Sequence, residues 1–327
     1  MLTTAFTDLV GCRVPLQQAG MGMVCTADLA TAVADAGAVG TLALPMASPD
    51  VMADALKDVR SRTNGIVAVN FLMPFLNRDN VAAAADHARI VEFFYGEPDP
   101  ALVEIVHQAS ALAAWQIGSE QEARLAAEAG CDIVIAQGTE AGGHIRGTTG
   151  LFVLLAQVLE AVEVPVVAAG GIGTARLMAA ALGAGASAVR VGTRFLAATE
   201  ADVHPDYLSR LVAAGPEDTV ITEHFSFMWP DAPHRVLRSS LEASLAFGQG
   251  AVGEISLRDG RTEVPNRSAL CPNRSTTGTI EAMALYAGES VGSVHTELPA
   301  ADIVRELAEG AEALRQSLRP GDVCHVT

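Results

Sequence analysis

Val164-Pro165-Val166-Val167-Ala168-Ala169-Gly170-Gly171-Ile172-Gly173, followed after a helical stretch by Ala188-Val189-Arg190-Val191-Gly192-Thr193, decides the reading of this chain. Each half is a short β-branched run ending in glycine. The Ala-rich segment between them, 174–183, has the composition of a crossover helix. Together they form a βαβ unit, which implies parallel strands. The same rhythm runs back to the N-terminus. Strands are expected at 14–18, 39–43, 66–70, 90–93, 111–115, 132–136, 164–168 and 188–191. Helices are expected at 27–36, 49–61, 80–87, 100–109, 119–129, 151–161 and 174–183. Eight strands with helices between them is the number that closes a (β/α)8 TIM barrel, an α/β fold.

After Val191 the rhythm stops. Residues 199–279 hold one short helical piece, 206–213, and then an irregular stretch rich in aromatics, Pro, Ser and Asn. Helical periodicity returns at 281–285 and at 300–318, where Ile303, Leu307, Ala308, Ala311 and Leu314 share a face. The expected organisation is a barrel from 1–198 and 280–327, with 199–279 inserted after the eighth strand as a substrate or lid segment. Its aromatic knot, His224-Phe225-Ser226-Phe227-Met228-Trp229, suits either a lid over an apolar substrate or the insertion's own small core.

Composition narrows the chemistry. In 327 residues, Lys+Arg 21 against Asp+Glu 38 gives a net charge of −17, which disfavours nucleic acid and anionic membranes as partners. The cations are arginines except for Lys57, which lies on the solvated face of a helix pattern, so Schiff-base and pyridoxal-phosphate chemistry lack their lysine. Cys12, Cys25, Cys131, Cys271 and Cys324 are widely spaced without a C-x-x-C, so neither a metal site nor a disulfide framework is expected. Residues 1–8 show no signal-peptide pattern and no stretch is apolar enough for a membrane span, so a cytoplasmic location is expected.

In a barrel of this kind chemistry belongs to the loops at the C-terminal ends of the strands. Strand one runs into Gln18-Ala19-Gly20-Met21-Gly22, strand three ends on Asn70, and strand six leads into Gln137-Gly138-Thr139-Glu140-Ala141-Gly142-Gly143-His144. The loops after strands seven and eight carry Gly170-Gly171 and Gly192-Thr193, where barrels often bind phosphate through backbone N–H groups. Tight βα turns would use the same glycines, but two such loops side by side favour the phosphate. His144 follows a stretch without side-chain bulk above the barrel mouth, where an imidazole suits a general base near neutral pH. Glu140 suits either an acid or a solvated loop carboxylate, the commoner case, and Cys25 either a thiol facing a cofactor or, more commonly, a buried free thiol. A Rossmann reading of Gly20-Met21-Gly22 fails because Cys25 stands at the third glycine position and the second strand ends without an acidic residue.

These loops, with Tyr286-Ala287-Gly288-Glu289-Ser290-Val291-Gly292 near the C-terminus, resemble the nitronate monooxygenase family, FMN-dependent TIM-barrel enzymes formerly called 2-nitropropane dioxygenases. The resemblance implies oxidation of alkyl nitronates, or of nitroalkanes, by O2 to a carbonyl compound and nitrite, without a nicotinamide. It implies FMN contacts at Gly20, Met21, Gly22, Asn70, Gln137, Gly142, Gly170, Gly171, Arg190, Val191, Gly192 and Thr193, with no metal. His144 matches the family's active-site histidine, as a base or as a group orienting the nitronate. The implied partners are a small-molecule substrate and O2, with a homodimer left open. Arg190 stands where the family often has Gln, and Glu289 where an Ala-Gly-Gln segment is usual. The alternative is an FMN- and NAD(P)H-dependent enoyl-thioester reductase, or a tailoring or flavin-binding protein on the same scaffold. Val203-His204-Pro205-Asp206-Tyr207 is similar to a segment of FMN-dependent enoyl-acyl-carrier-protein reductases, with Arg235 and Arg238 as candidates for docking an acidic carrier.

Overall fold

The computed structural model describes residues 2–44, 47–257 and 260–317. Eight parallel strands close a barrel: β1 (Leu16–Gln18), β2 (Val39–Ala43), β3 (Ile66–Leu72), β4 (Ile90–Phe94), β5 (Leu112–Ile117), β6 (Ile133–Gln137), β7 (Val166–Ala169) and β8 (Ala188–Val191). The barrel closes by pairing β1 with β8, with Gln17 opposite Arg190 and Gln18 opposite Val191. The expected eight-stranded barrel is therefore the observed fold.

A short helix, α1 (Ala5–Val10), precedes the barrel, and helices α2 (Ala27–Asp35), α3 (Pro49–Arg62), α4 (Arg78–Ala85), α5 (Pro100–Gln108), α6 (Glu120–Glu128), α7 (Leu151–Ala161) and α8 (Ala175–Gly183) alternate with its strands. Their starts are written in the sequence. Thr26, Ser119 and Thr174 each accept a backbone N–H from three residues on, and Pro49 and Pro100 open α3 and α5, where the missing N–H costs nothing.

The barrel interior changes character along its axis. At the N-terminal end Val39, Ile90, Leu112, Ile133 and Ala188, all first residues of their strands, pack against Phe6 and Val10 of α1, which plugs that mouth. One or two residues further along the strands the layer is polar: Gln17, Thr41, Glu92 and Arg190 are all buried. Branched aliphatics usually fill this position, so a polar layer here marks the approach to a site.

Residues 199–279 are more ordered than the irregular stretch expected. They contain α9 (Pro205–Ala213), a strand pair β9 (Thr219–Thr222) and β10 (His234–Leu237), α10 (Arg238–Phe247), and a hairpin of β11 (Ala251–Leu257) and β12 (Gly260–Pro265). Strand β10 also pairs with Gly143–His144 from the loop after β6, His234 opposite His144 and Arg235 opposite Gly143. The helix expected at 281–285 is instead a 3-10 turn, Ile280–Ala282, followed by extended chain. Ile280, Met283, Ala284, Leu285 and Ala287 are all buried, so this apolar run reflects burial on every side. The last helix, α11 (Ala300–Ser317), packs on α8 and α2 as the closing helix of the barrel, and its expected final residue, Leu318, lies outside the described residues. Among the described residues no helix is long and apolar enough to cross a membrane.

Candidate active site

A cavity opens at the C-terminal mouth of the barrel, and the sequence-predicted residues gather there. His144 and every candidate cofactor residue except Val191 line it. Val191 is the exception. Its side chain is buried in the barrel wall, and its carbonyl accepts a hydrogen bond from Ala19 N at 2.8 Å, so it shapes the β1 loop from behind.

The glycine loops at the barrel mouth take backbone conformations that suit glycine. Gly170 and Gly171 both have positive φ, 111° and 70°, a region that side chains rarely enter. A Cβ on Gly142 would lie 2.4 Å from Gly288 N, so only glycine lets the β6 loop touch the 286–292 segment. Thr193 completes this joint, its Oγ1 accepting from Gly288 N at 3.0 Å. Glu140 is not simply solvated: both carboxylate oxygens lie 3.0 Å from Leu151 N. The residue capping the start of α7 is Gly150, which has no side chain to cap it, and Glu140 supplies the missing acceptor.

His144 sits under an aromatic roof. Its ring stacks on Trp229, with Tyr95 edge-on at 6.0 Å and Tyr286 tilted at 5.6 Å. Trp229 is itself wedged by Phe75 and Tyr95, both edge-on, at 5.2 and 4.8 Å. Met228 and Asp231, on either side of it, have φ of 70° and 54°, a strained path that turns the indole inward.

Burial changes the expected character of the imidazole. Desolvation, with His234 beside it, pushes the His144 pKa down to about 3, so the ring is neutral and weakly basic at neutral pH. His234 is fixed as a neutral ring too. Its Nδ1 donates to Ala232 O at 2.8 Å and its Nε2 accepts from Phe225 N at 3.3 Å, so neither nitrogen is spare for a relay. Burial raises Tyr286 and Tyr207 well above the usual phenol range, and their hydroxyls donate to Ala269 O and Tyr286 O.

Among the described residues lining the cavity, three buried polar atoms have no hydrogen-bond partner in the protein: His144 Nε2, Gln137 Oε1 and Asn80 Oδ1. The Gln137 amide N–H₂ donates to His144 O at 3.0 Å. Orphaned polar atoms at such depth are costly unless a ligand meets them.

Glu92 was not singled out in the sequence, although it stands alone among Ile90, Val91, Phe93 and Phe94. It crosses the barrel to Arg190 in a two-pronged ion pair, both contacts 2.6 Å, and accepts from Gln17 Nε2 at 2.7 Å. The two family departures thus each have a partner, for Glu289 pairs with Arg235 at 3.1 Å. Of the two candidates for docking an acidic carrier, Arg235 is buried and also donates to Thr139 O and Thr219 Oγ1, whereas Arg238 is exposed. Among the described residues no cluster of His, Cys, Asp and Glu could hold a metal ion.

Comparison with known proteins agrees with this geometry. The solved structure of FabK from Thermotoga maritima superposes with a TM-score of 0.80, at 30% identity over 98% of this chain and 99% of that one. A nitroalkane oxidase from Streptomyces ansochromogenes superposes with a TM-score of 0.78, at 30% identity over 96% of this chain and 100% of that one. In sequence, the chain is 37% identical over 262 residues, 77% of its length and 71% of the relative's, to a Mycobacterium tuberculosis protein named (3aS,4S,5R,7aS)-5-hydroxy-7a-methyl-1-oxo-octahydro-1H-indene-4-carboxyl-CoA dehydrogenase. A probable nitronate monooxygenase of Bacillus subtilis is 25% identical over 90% of this chain and 95% of its own. The profile of the nitronate monooxygenase family matches residues 3–88 and 74–310, and the chain belongs to that family of oxidoreductases.

Proposed function

We propose that the chain is an FMN-dependent enzyme that oxidises alkyl nitronates with O2 to a carbonyl compound and nitrite. The observation that carries this reading is the neutral, desolvated His144 under its aromatic roof, with its Nε2 and Gln137 Oε1 both unpartnered. FMN fits the remaining wall. Gly170, Gly171, Gly192 and Thr193 would hold its phosphate, and Gly20, Met21, Gly22, Asn70, Gln137, Gly142 and Arg190 its ring system and chain. When bound, FMN supplies the electron acceptance and the reaction with O2 that no side chain provides.

The side chains bind, orient and exclude water. Trp229, Phe75 and Tyr286 keep solvent from the imidazole, and His144 meets the nitro group as a hydrogen-bonding partner. A base with a pKa of about 3 is poorly matched to removing a proton from carbon, which favours the preformed nitronate over the neutral nitroalkane.

A second reading has a specific observation behind it. The M. tuberculosis relative's name specifies a carboxyl-CoA substrate, so oxidation or reduction of a thioester on the same cofactor is the competitor. Against it stands the engagement of Arg235 inside the fold. Nitrite release from propyl-2-nitronate in air, with no bleaching of the flavin by NADH or NADPH, supports the first reading. Bleaching by a nicotinamide without nitrite release moves the assignment to the second.

A further inference from the structure

Among the described residues lining the cavity, Arg190 is the only one with a permanent charge. That charge is already answered. Both terminal nitrogens are held by Glu92 at 2.6 Å, Gln17 donates a third bond to the same carboxylate, and all three side chains are buried. The strands concerned, β4 and β8, lie on opposite sides of the barrel, so the pair spans its interior, and its Arg190 end lines the cavity. An ion pair at this depth gives up two hydration shells, and apolar residues of similar size often serve stability as well or better. Its placement therefore calls for a role beyond packing.

We propose that Glu92 and Arg190 form a redox-tuning pair, in which Glu92 withholds from the bound cofactor the positive charge that Arg190 alone would present. The inference rests on the assignment of this cavity to FMN. Reduction of a flavin adds negative charge to it. In a desolvated cavity an unpaired cation favours the reduced form strongly, an unpaired carboxylate opposes it, and a tight pair does little of either. Glu92 acts through Arg190 and is a positioning residue. Its signature is a potential shift whose sign depends on which partner is removed.

The test is the FMN midpoint potential at fixed pH, measured by reductive titration against a reference dye, with FMN stoichiometry and circular dichroism recorded first. Glu92→Gln should raise the midpoint, Arg190→Gln should lower it, and the double variant should fall between them. A merely structural pair would lower melting temperature in both single variants without shifts of opposite sign. Wild-type potentials in both FMN-loaded single variants would overturn the proposal. Should Glu92→Gln fail to fold, Arg190→Gln decides alone, since an unchanged or raised potential contradicts the account. A wild-type chain that neither carries nor binds added FMN shows a different failure, that of the cavity assignment itself, and the pair's proposed role falls with it.

Discussion

The Trp229 indole lies on the His144 imidazole with ring centroids 3.8 Å apart and planes 19° from parallel. One residue comes from the loop after β6 and the other from residues 199–279, and the His144–His234 pairing brings the two together. Tyr95 and Tyr286, which complete the roof, come from outside that segment.

Removing the indole should open the roof. In Trp229→Ala, KM for the nitronate should rise roughly tenfold, equivalent to about 1.4 kcal/mol of binding. Steady-state kinetics alongside a melting curve separate the roles. A large fall in melting temperature with unchanged KM would make Trp229 a core residue of the insertion.

Stability should fall with acid partly through His144. An exposed imidazole takes its proton near pH 6.5, whereas this one holds out to about 3, so between those values the unfolded chain binds the extra proton. The contribution is complete above about 6.5 and is lost as pH falls toward 3, at up to about 1.4 kcal/mol per pH unit. Urea unfolding of the wild type and His144→Ala across pH 4.5 to 7 should show a shallower slope in the variant. Parallel slopes would contradict the burial of this ring.

Filling the glycine cradle should cost the cofactor and spare the barrel. Gly171→Val places a β-branched residue at φ 70°, with its Cβ 3.1 Å from Glu140 Cβ. The purified variant should be colourless, with a near-native circular dichroism spectrum. Wild-type flavin content would remove the β7 loop from the phosphate site.

Glu140→Ala should behave as loss of a helix cap. Its two contacts to Leu151 N predict a stability loss of roughly 1 kcal/mol. Turnover per bound flavin should change little. A collapse of turnover at unchanged stability would instead put Glu140 in the chemistry.

Much of this architecture was legible because it is local. Each barrel strand starts within two residues of its expected position, since β-branched runs and capping residues are written in adjacent letters. Helix α10 was missed for a physical reason: its buried face carries Ser240 and Ser244, hydrogen-bonded to Leu237 O and Asn266, so it shows no apolar stripe. Helix α1 was missed because it has only six residues. The glycine loops that line the cavity were readable from glycine and position. The roof was not, since His144 meets Trp229 through a strand pairing across ninety residues of chain. Glu92 and Arg190 each stand alone in an apolar strand, a signal present in the sequence, but their pairing depends on barrel closure.

The most direct measurement mixes the flavin-loaded protein in air with propyl-2-nitronate, and separately with NADH and NADPH, following nitrite and the flavin spectrum together. The account predicts nitrite release from the nitronate, its loss in His144→Ala despite retained FMN, and no response to either nicotinamide. Bleaching by NADH or NADPH with no nitrite from the nitronate would contradict it.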